Sequence, residues 1–206
     1  MMQFARSFLA LGDSYTIGEG VAPGERWPAQ LVARLRGEGI DVDDPKIIAT
    51  TGWTTDELSA AMDAASFAPP YDLATLLVGV NNQYRGRPLD EYRTQFHALL
   101  QRAIQLAGGD AGHVITVSIP DWGVTPFAAR EGRDASVVAR EIDAFNAAAC
   151  AETREAGAQW VDVATVSRTP EARGEWVDDG LHPSSAQYAR WVEAILPVAR
   201  AVLTDT

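Results

Sequence analysis

A serine, an aspartate and a histidine occur in this sequence at spacings that suit nucleophilic catalysis. Ser14 ends a Gly-Asp-Ser segment that follows a short apolar run, which predicts a strand, a tight turn and then a helix N-terminus. At such a terminus the helix dipole favours a developing negative charge. Asp179 and His182 stand three residues apart, so one turn of the chain lets the carboxylate orient the imidazole. Together these residues supply a nucleophile, a base and the group that orients the base.

Two further positions supply hydrogen-bond donors for a negatively charged intermediate. Gly52 follows the second predicted strand and exposes a backbone N–H, and Asn81 follows the third and carries a side-chain amide. With the backbone N–H of Ser14 they make three candidate oxyanion donors. We also expect four neighbouring side chains to contact a substrate: Asp13, Trp53, Asn82 and Trp122.

Each of these motifs, taken alone, also has an ordinary structural interpretation. A helix N-cap explains Ser14, a turn glycine explains Gly52, and a left-handed turn residue explains Asn81. A capping carboxylate beside a surface imidazole explains Asp179 and His182. The occurrence of all four segments in one chain, three of them after predicted strands, favours the catalytic interpretation.

The elements that must position these residues follow from the apolar pattern. Short apolar runs predict five strands: Ser7–Leu11, Lys46–Thr50, Leu73–Val78, His113–Ile119 and Gln159–Val163. Longer patterns predict helices between and after them: Trp27–Arg36, Thr54–Ala65, Leu89–Ala107, Val137–Ala156 and Ser184–Leu203. The alternation predicts an α/β fold, a three-layer α/β/α sandwich around a five-stranded, mostly parallel sheet. Ligands of such folds bind beyond the carboxyl ends of the strands.

Length and composition indicate one globular domain over residues 1–206. Apolar residues make up 47% of the chain and charged residues 22%, and the net charge is −11. The acidic balance argues against binding to nucleic acids or to anionic membrane surfaces. The sequence contains no apolar run long enough for a secretory signal or a membrane span, so we expect a cytoplasmic protein.

Other classes of site lack their signatures. Cys150 is the only cysteine, which excludes an intramolecular disulfide and a cysteine-based zinc site. Asp178, Asp179 and His182 have the chemistry of metal ligands, but no second histidine follows a predicted strand. We therefore predict neither a metal ion nor a cofactor. The Gly-x-Ser-x-Gly elbow and the phosphate-binding loop are both absent from the sequence.

The four segments, in this order, resemble the four conserved blocks of the SGNH (GDSL) hydrolases, and the resemblance runs from residue 8 to about residue 190. It implies a flavodoxin-like sandwich. It implies that Ser14 is the nucleophile, that His182 is the general base and that Asp179 orients it. It also implies an oxyanion hole formed by the N–H groups of Ser14 and Gly52 and by the side chain of Asn81.

One block departs from the family pattern, because Asn82 stands where an aspartate is usual. The oxyanion donor before it is retained, so we expect activity to be retained with a different support for this loop. Members of the family are esterases, lipases, thioesterases, arylesterases and carbohydrate deacetylases.

The sequence therefore predicts a metal-independent serine ester hydrolase. A chain of 206 residues leaves no room for a lid domain, which favours small, short-chain esters as substrates and partners. Two alternatives stay open at this point. One is a carbohydrate O-deacetylase with the same chemistry, and the other is a non-catalytic glycan-binding module. The sequence does not predict an oligomeric state.

Overall fold

A five-stranded parallel sheet forms the middle layer of the protein in a computed structural model that describes residues 5–204. The strand order is β2-β1-β3-β4-β5, and every neighbouring pair is parallel. The strands are β1 (Phe8–Gly12), β2 (Lys46–Ala49), β3 (Leu73–Leu77), β4 (Val114–Val117) and β5 (Gln159–Val161). All residues of β1, β3 and β4 are buried, as expected for parallel strands that are covered on both faces.

Helices cover the sheet and complete the predicted three-layer sandwich. One group consists of α2 (Trp27–Gly37) and α9 (Ser185–Thr204), which pack against each other. The other consists of α3 (Thr55–Ala64), α5 (Leu89–Leu106) and α7 (Ala135–Ala156). Their apolar faces and the strands form one continuous hydrophobic core.

Four short helices follow strands or lie in the connections near the carboxyl edge. For the first, the sequence predicted only a helix N-terminus near Ser14, and the other three were not predicted. The four are α1 (Ser14–Ile17), α4 (Val80–Tyr84), α6 (Pro126–Arg130) and α8 (Ala164–Ser167). Each has only four or five residues, which is too short for a helical apolar pattern to develop.

Some predicted strand ends were also wrong by one or two residues, and at two of these places side chains bond to the backbone. At the start of β1, the N–H of Ser7 donates to the carboxylate of Asp72, at 2.7 Å. After β4, the hydroxyl of Ser118 accepts from the N–H groups of Val163 and Ala164, at 2.8 and 2.9 Å. These side-chain bonds end the strand ladder although the apolar pattern continues.

The register of the sheet brings three of the sequence blocks to one edge. Gly12, the last residue of β1, pairs with Ala49 on one side and with Leu77 on the other. The chain segments that follow these three residues therefore leave the sheet at the same level. The strand order also changes direction on either side of β1, and this is where ligands of doubly wound sheets bind.

Within residues 5–204, no helix is both long and apolar enough to cross a membrane. The cytoplasmic location stays a prediction.

Candidate active site

Ser14 is the first residue of α1, directly beyond the carboxyl end of β1. The N-cap is Asp13 and not the serine, because the Asp13 carboxylate accepts a hydrogen bond from the N–H of Tyr15, at 3.1 Å. The Ser14 hydroxyl is thus not used for capping. Its N–H lies in the first turn, where backbone donors have no partner within the helix.

Of the other two predicted oxyanion donors, Gly52 lies on the loop after β2 and Asn81 lies in α4, and these two segments bond to each other. Gly52 has a φ of 88°, a left-handed conformation that favours glycine. The side-chain amide of Asn81 donates to the carbonyl of Trp53, at 2.9 Å. An amide nitrogen has two N–H groups, so this bond fixes the amide and leaves the other N–H for a ligand.

Asp179 and His182 form a close pair, as predicted. The Nδ1 atom of His182 lies 2.5 Å from a carboxylate oxygen of Asp179. The other oxygen accepts from the N–H groups of Leu181 and His182, at 2.7 and 2.9 Å. The ring of Tyr15 lies beside the imidazole, with 5.8 Å between the ring centroids. The histidine is therefore held from two sides, with its Nε2 edge away from the carboxylate.

The loop that carries this pair is not part of the sheet and is held by contacts with α6. The N–H of Phe127 donates to the carbonyl of Gly180, at 2.9 Å, and the guanidinium of Arg130 donates to the carbonyl of Asp179. Gly180 has a φ of 68°, and a Cβ atom there would lie 2.8 Å from Arg130. The left-handed backbone conformation favours glycine here, and a side chain at this position would also displace the guanidinium end of Arg130. No local sequence pattern indicates this role of Arg130.

Ser14, Gly52, Asn81 and His182 line one cavity of about 200 Å³, whereas Asp179 lies behind the histidine. Within residues 5–204, the Ser14 hydroxyl has no hydrogen-bond partner within 3.5 Å. In enzymes without a ligand the bond between nucleophile and base is often long and tightens when substrate binds. The cavity thus brings together the nucleophile, the base and the three donors that the sequence predicts.

Three aromatic rings form the far wall of this cavity. Tyr84, Trp122 and Phe127 pack around one another, with centroids 5.4 to 6.4 Å apart. The indole N–H of Trp122 donates to the side chain of Gln83, at 2.8 Å, which fixes the ring. The guanidinium of Arg133 lies 5.2 Å from the centre of the Tyr84 ring. These rings give the cavity a largely apolar wall beside its polar donors.

Three of the four predicted substrate contacts require correction, and only Trp122 lines the cavity. The side chains of Asp13 and Asn82 have no exposed surface, so they do not reach a substrate. Asn82 instead accepts from the N–H of Thr55 and donates to its hydroxyl, at 3.1 and 2.7 Å. This is the different support that we expected for the loop. The ring of Trp53 packs against the hydrophobic core, and only its carbonyl takes part in the site.

The pKa values of the two aspartates of the site are shifted in opposite directions. Burial raises the pKa of Asp13 to about 7, although the nearby backbone N–H groups of Tyr15 and Gly79 oppose the change. For Asp179, burial also raises the pKa, but hydrogen bonds from the ring and N–H of His182 and from the N–H of Leu181 outweigh it. The pKa of Asp179 therefore lies below its usual value, and this carboxylate stays ionised beside the imidazole.

No group of three His, Cys, Asp or Glu side chains within residues 5–204 has the arrangement of a metal site. The absence of a metal or cofactor from the reaction stays a prediction.

Solved structures share this fold over nearly the whole chain. A structure of TesA has a TM-score of 0.75 and 20% identity, and the match covers 96% of this chain and 99% of that one. The psychrotrophic esterase EstA from Pseudoalteromonas sp. has a TM-score of 0.69 and 15% identity, with 96% and 98% covered. Axe2, an acetylxylan esterase from Geobacillus stearothermophilus, has a TM-score of 0.69 and 21% identity, with 94% of each chain covered.

A comparison with curated proteins found no match. The model of the GDSL-like lipase/acylhydrolase family, in contrast, matches residues 10–190. This range begins within β1 and ends after the Asp179–His182 loop, so it contains all four sequence blocks. The chain belongs to the GDSL-like lipase/acylhydrolase family and is a carboxylic ester hydrolase.

Proposed function

We propose that the protein hydrolyses small, short-chain carboxylic esters through an acyl-enzyme intermediate on Ser14. The observation that carries this proposal is the cavity of about 200 Å³ that Ser14, Gly52, Asn81 and His182 line together. Nucleophile, base and oxyanion donors therefore act on a single carbonyl group placed in this cavity.

The reaction proceeds in two half-reactions. His182 takes the hydroxyl proton of Ser14 as Oγ attacks the ester carbonyl carbon. The carbonyl oxygen becomes an oxyanion against the N–H groups of Ser14 and Gly52 and the amide of Asn81. The carbon–oxygen bond to the alcohol then breaks, and the alcohol leaves with the proton from His182. Water repeats the sequence on the acyl-enzyme, which releases the acid and restores Ser14.

The size of the cavity supports a small substrate. Pockets for drug-sized ligands measure about 300 to 1,000 Å³, so a volume of about 200 Å³ suits a short acyl or alcohol group. The walls formed by Val80, Trp122 and Phe127 are apolar, which suits an uncharged group better than an ionised one. A long acyl chain would have to leave the cavity and lie on the exposed surface.

Hydrolysis of p-nitrophenyl esters of increasing acyl length tests this proposal. We expect kcat/KM to be highest for the acetate or butyrate and to fall for octanoate and longer esters. The matched control is Ser14→Ala, which keeps the cavity and removes the nucleophile. A rising preference for long chains would contradict the proposed substrate class, and the absence of hydrolysis of every ester by the wild-type protein would favour a binding module.

A carbohydrate O-deacetylase is the second candidate, and the exposure of Tyr84 favours it. This ring stands at the rim of the cavity with 42% of its surface exposed, and the structurally similar Axe2 is an acetylxylan esterase. An exposed aromatic face at this place offers a surface on which a sugar ring can stack.

Acetylated xylo-oligosaccharides distinguish the two candidates. For a deacetylase we expect Tyr84→Ala to raise KM for the acetylated sugar by a larger factor than KM for p-nitrophenyl acetate. Val124→Ala is the matched control, because Val124 is equally exposed, at 42%, and does not line the cavity. Equal effects of both variants on both substrates would argue against a sugar subsite at Tyr84.

A further inference from the structure

We propose that Arg85 is a positioning residue that holds the Gly52 loop so that the Gly52 N–H faces the bound oxyanion. The inference rests on the function proposed above, because it assigns a role within the same site. Arg85 does not line the cavity, so it acts through Gly52 and not through direct contact with a substrate.

The contact that carries this inference joins a cation to the backbone of the oxyanion loop. An Nη atom of Arg85 donates to the carbonyl oxygen of Gly52, at 2.7 Å. A hydrogen bond from an ionised donor is shorter and stronger than one between neutral groups. The carbonyl of Gly52 and its N–H lie on either side of the same Cα atom, so fixing one restricts the direction of the other.

The loop needs such a contact because its own backbone holds it weakly. The turn from Thr50 to Trp53 is closed by one backbone hydrogen bond of 3.3 Å, at the long end of the usual range. Gly52 adopts a φ of 88°, but glycine occupies positive and negative φ with similar ease. Nothing in the covalent structure of Gly52 therefore keeps its N–H directed toward the cavity.

One short segment holds the loop at two consecutive carbonyls. Asn81, on α4, donates to the carbonyl of Trp53, and Arg85, directly after α4, donates to the carbonyl of Gly52. The segment that supplies one oxyanion donor, the Asn81 amide, thereby also fixes the loop that supplies another. Both contacts therefore come from α4 and the residue that follows it.

The second partner of Arg85 orients it without adding much stability. A carboxylate oxygen of Glu57 lies 3.3 Å from the guanidinium and also accepts from the N–H of Thr54 at the start of α3. The side chains of Arg85 and Glu57 are both 43% exposed. Exposed ion pairs contribute little to the free energy of unfolding. We therefore infer that Glu57 orients the guanidinium of Arg85 and adds little to stability.

Arg87 provides a matched control in the same segment. It is also an arginine, and its guanidinium contacts the carboxylates of Asp56 and Glu91. No hydrogen bond joins it to the loop of residues 50–53 in the described part of the chain. A substitution of Arg87 removes the same charge and a similar ion pair but leaves the contact with Gly52 intact.

Kinetics on p-nitrophenyl acetate test the proposal. We expect Arg85→Met to lower kcat about ten-fold with KM unchanged, because a misplaced donor stabilises the transition state less. Arg87→Met should change kcat less than two-fold. Because the side chain of Arg85 is partly exposed, millimolar guanidinium should restore part of the activity of Arg85→Ala and none of that of Ser14→Ala. Equal kcat values for Arg85→Met and Arg87→Met, or a rise in KM alone, would overturn the proposal.

The amide signal of Gly52 in a ¹H–¹⁵N NMR spectrum gives a readout that does not depend on activity. We expect Arg85→Met to shift and broaden this signal and Arg87→Met to leave it unchanged. Failure of the wild-type protein to hydrolyse any ester would refute the proposed function, whereas an unchanged Gly52 signal in Arg85→Met would refute the positioning role of Arg85.

Discussion

The site has two halves, and an aspartate in each shows how differently they are built. Asp13 directly precedes Ser14, the proposed nucleophile, at the end of β1, has no exposed surface and carries a pKa raised to about 7. Asp179 lies on a loop outside the sheet, its side chain is 42% exposed, and its pKa is lowered. The sheet and core position the first half, and local hydrogen bonds position the second.

This difference determines which interactions are lost when a side chain in each half is substituted. In the half that lies on the sheet edge, Gly12, Ala49 and Leu77 set the level from which the reactive groups project. The Ser14 hydroxyl caps no helix, so its removal should leave this level unchanged. In the loop half, the imidazole depends on the carboxylate of Asp179 and on the contact of Arg130 with the loop backbone. A change there alters both the charge and the position of the base.

The largest effect should come from Ser14→Ala on the sheet side. Loss of the nucleophile should lower kcat by about 10⁴-fold or more. Only one hydroxyl is removed, and that hydroxyl caps no helix, so the melting temperature should stay within a few degrees of the wild-type value. Measurements of kcat and thermal unfolding on the same preparation test both parts. Near-normal turnover by a folded variant would exclude Ser14 as the nucleophile.

Asp179→Asn should give the next largest effect, now in the loop half. The amide keeps the size of the side chain but loses its charge, and it can hold His182 in the wrong tautomer. We expect kcat to fall by at least ten-fold and by up to about 10⁴-fold. The neighbouring Asp178 is exposed and makes no contact with the imidazole within residues 5–204. Asp178→Asn should therefore lower kcat by less than about ten-fold.

Comparison of the two asparagine variants at one pH, after circular dichroism has shown that both are folded, tests this assignment. Greater damage in Asp178→Asn would place the orienting carboxylate one residue earlier in the chain.

Asn81→Ala should have a smaller effect than loss of the nucleophile. Its amide is expected to bond more strongly to the oxyanion than to the ground-state carbonyl, so kcat should fall by about 10²- to 10³-fold with little change in KM. Steady-state kinetics on one short-chain ester separate the two constants. A rise in KM without a fall in kcat would assign Asn81 to substrate binding instead.

The same division explains what could be predicted from the sequence. The strands β1 and β3 were predicted to within one residue because they are buried on both faces and apolar throughout. The paired Asp179 and His182 could be predicted because their spacing alone allows the contact. The departures at the strand ends came from polar side chains such as Ser118, whose hydrogen bonds no apolar pattern reveals.

Within the site, the main source of error was the direction in which a side chain points, and not the position of its residue in the sequence. Asn81 and Asn82 are neighbours on one helix, where successive side chains point about 100° apart, and only Asn81 faces the cavity. Proximity in sequence therefore suggested a substrate contact for Asn82 that burial excludes. The contacts of Arg85 and Arg130 span 33 and 49 residues, and a long flexible side chain leaves no local pattern that indicates its partner.

The last prediction concerns the free energy of unfolding, not activity, and tests the electrostatic contrast between the two halves. Because the pKa of Asp13 in the folded protein, about 7, lies above its ordinary value of 3.8, the folded protein holds an extra proton between about pH 4 and pH 7. The contribution of Asp13 to the free energy of unfolding therefore falls as the pH rises through that window, by an amount on the order of 4 kcal/mol. It stays constant above pH 7. Asp13→Asn resembles the protonated carboxyl and keeps the oxygen that accepts from Tyr15. Other carboxylates titrate equally in both proteins, so the difference in melting temperature isolates Asp13. We expect the variant to melt up to roughly 10 °C higher than the wild type at pH 8 and at the same temperature near pH 4. A constant difference across this range would show that Asp13 does not titrate within it.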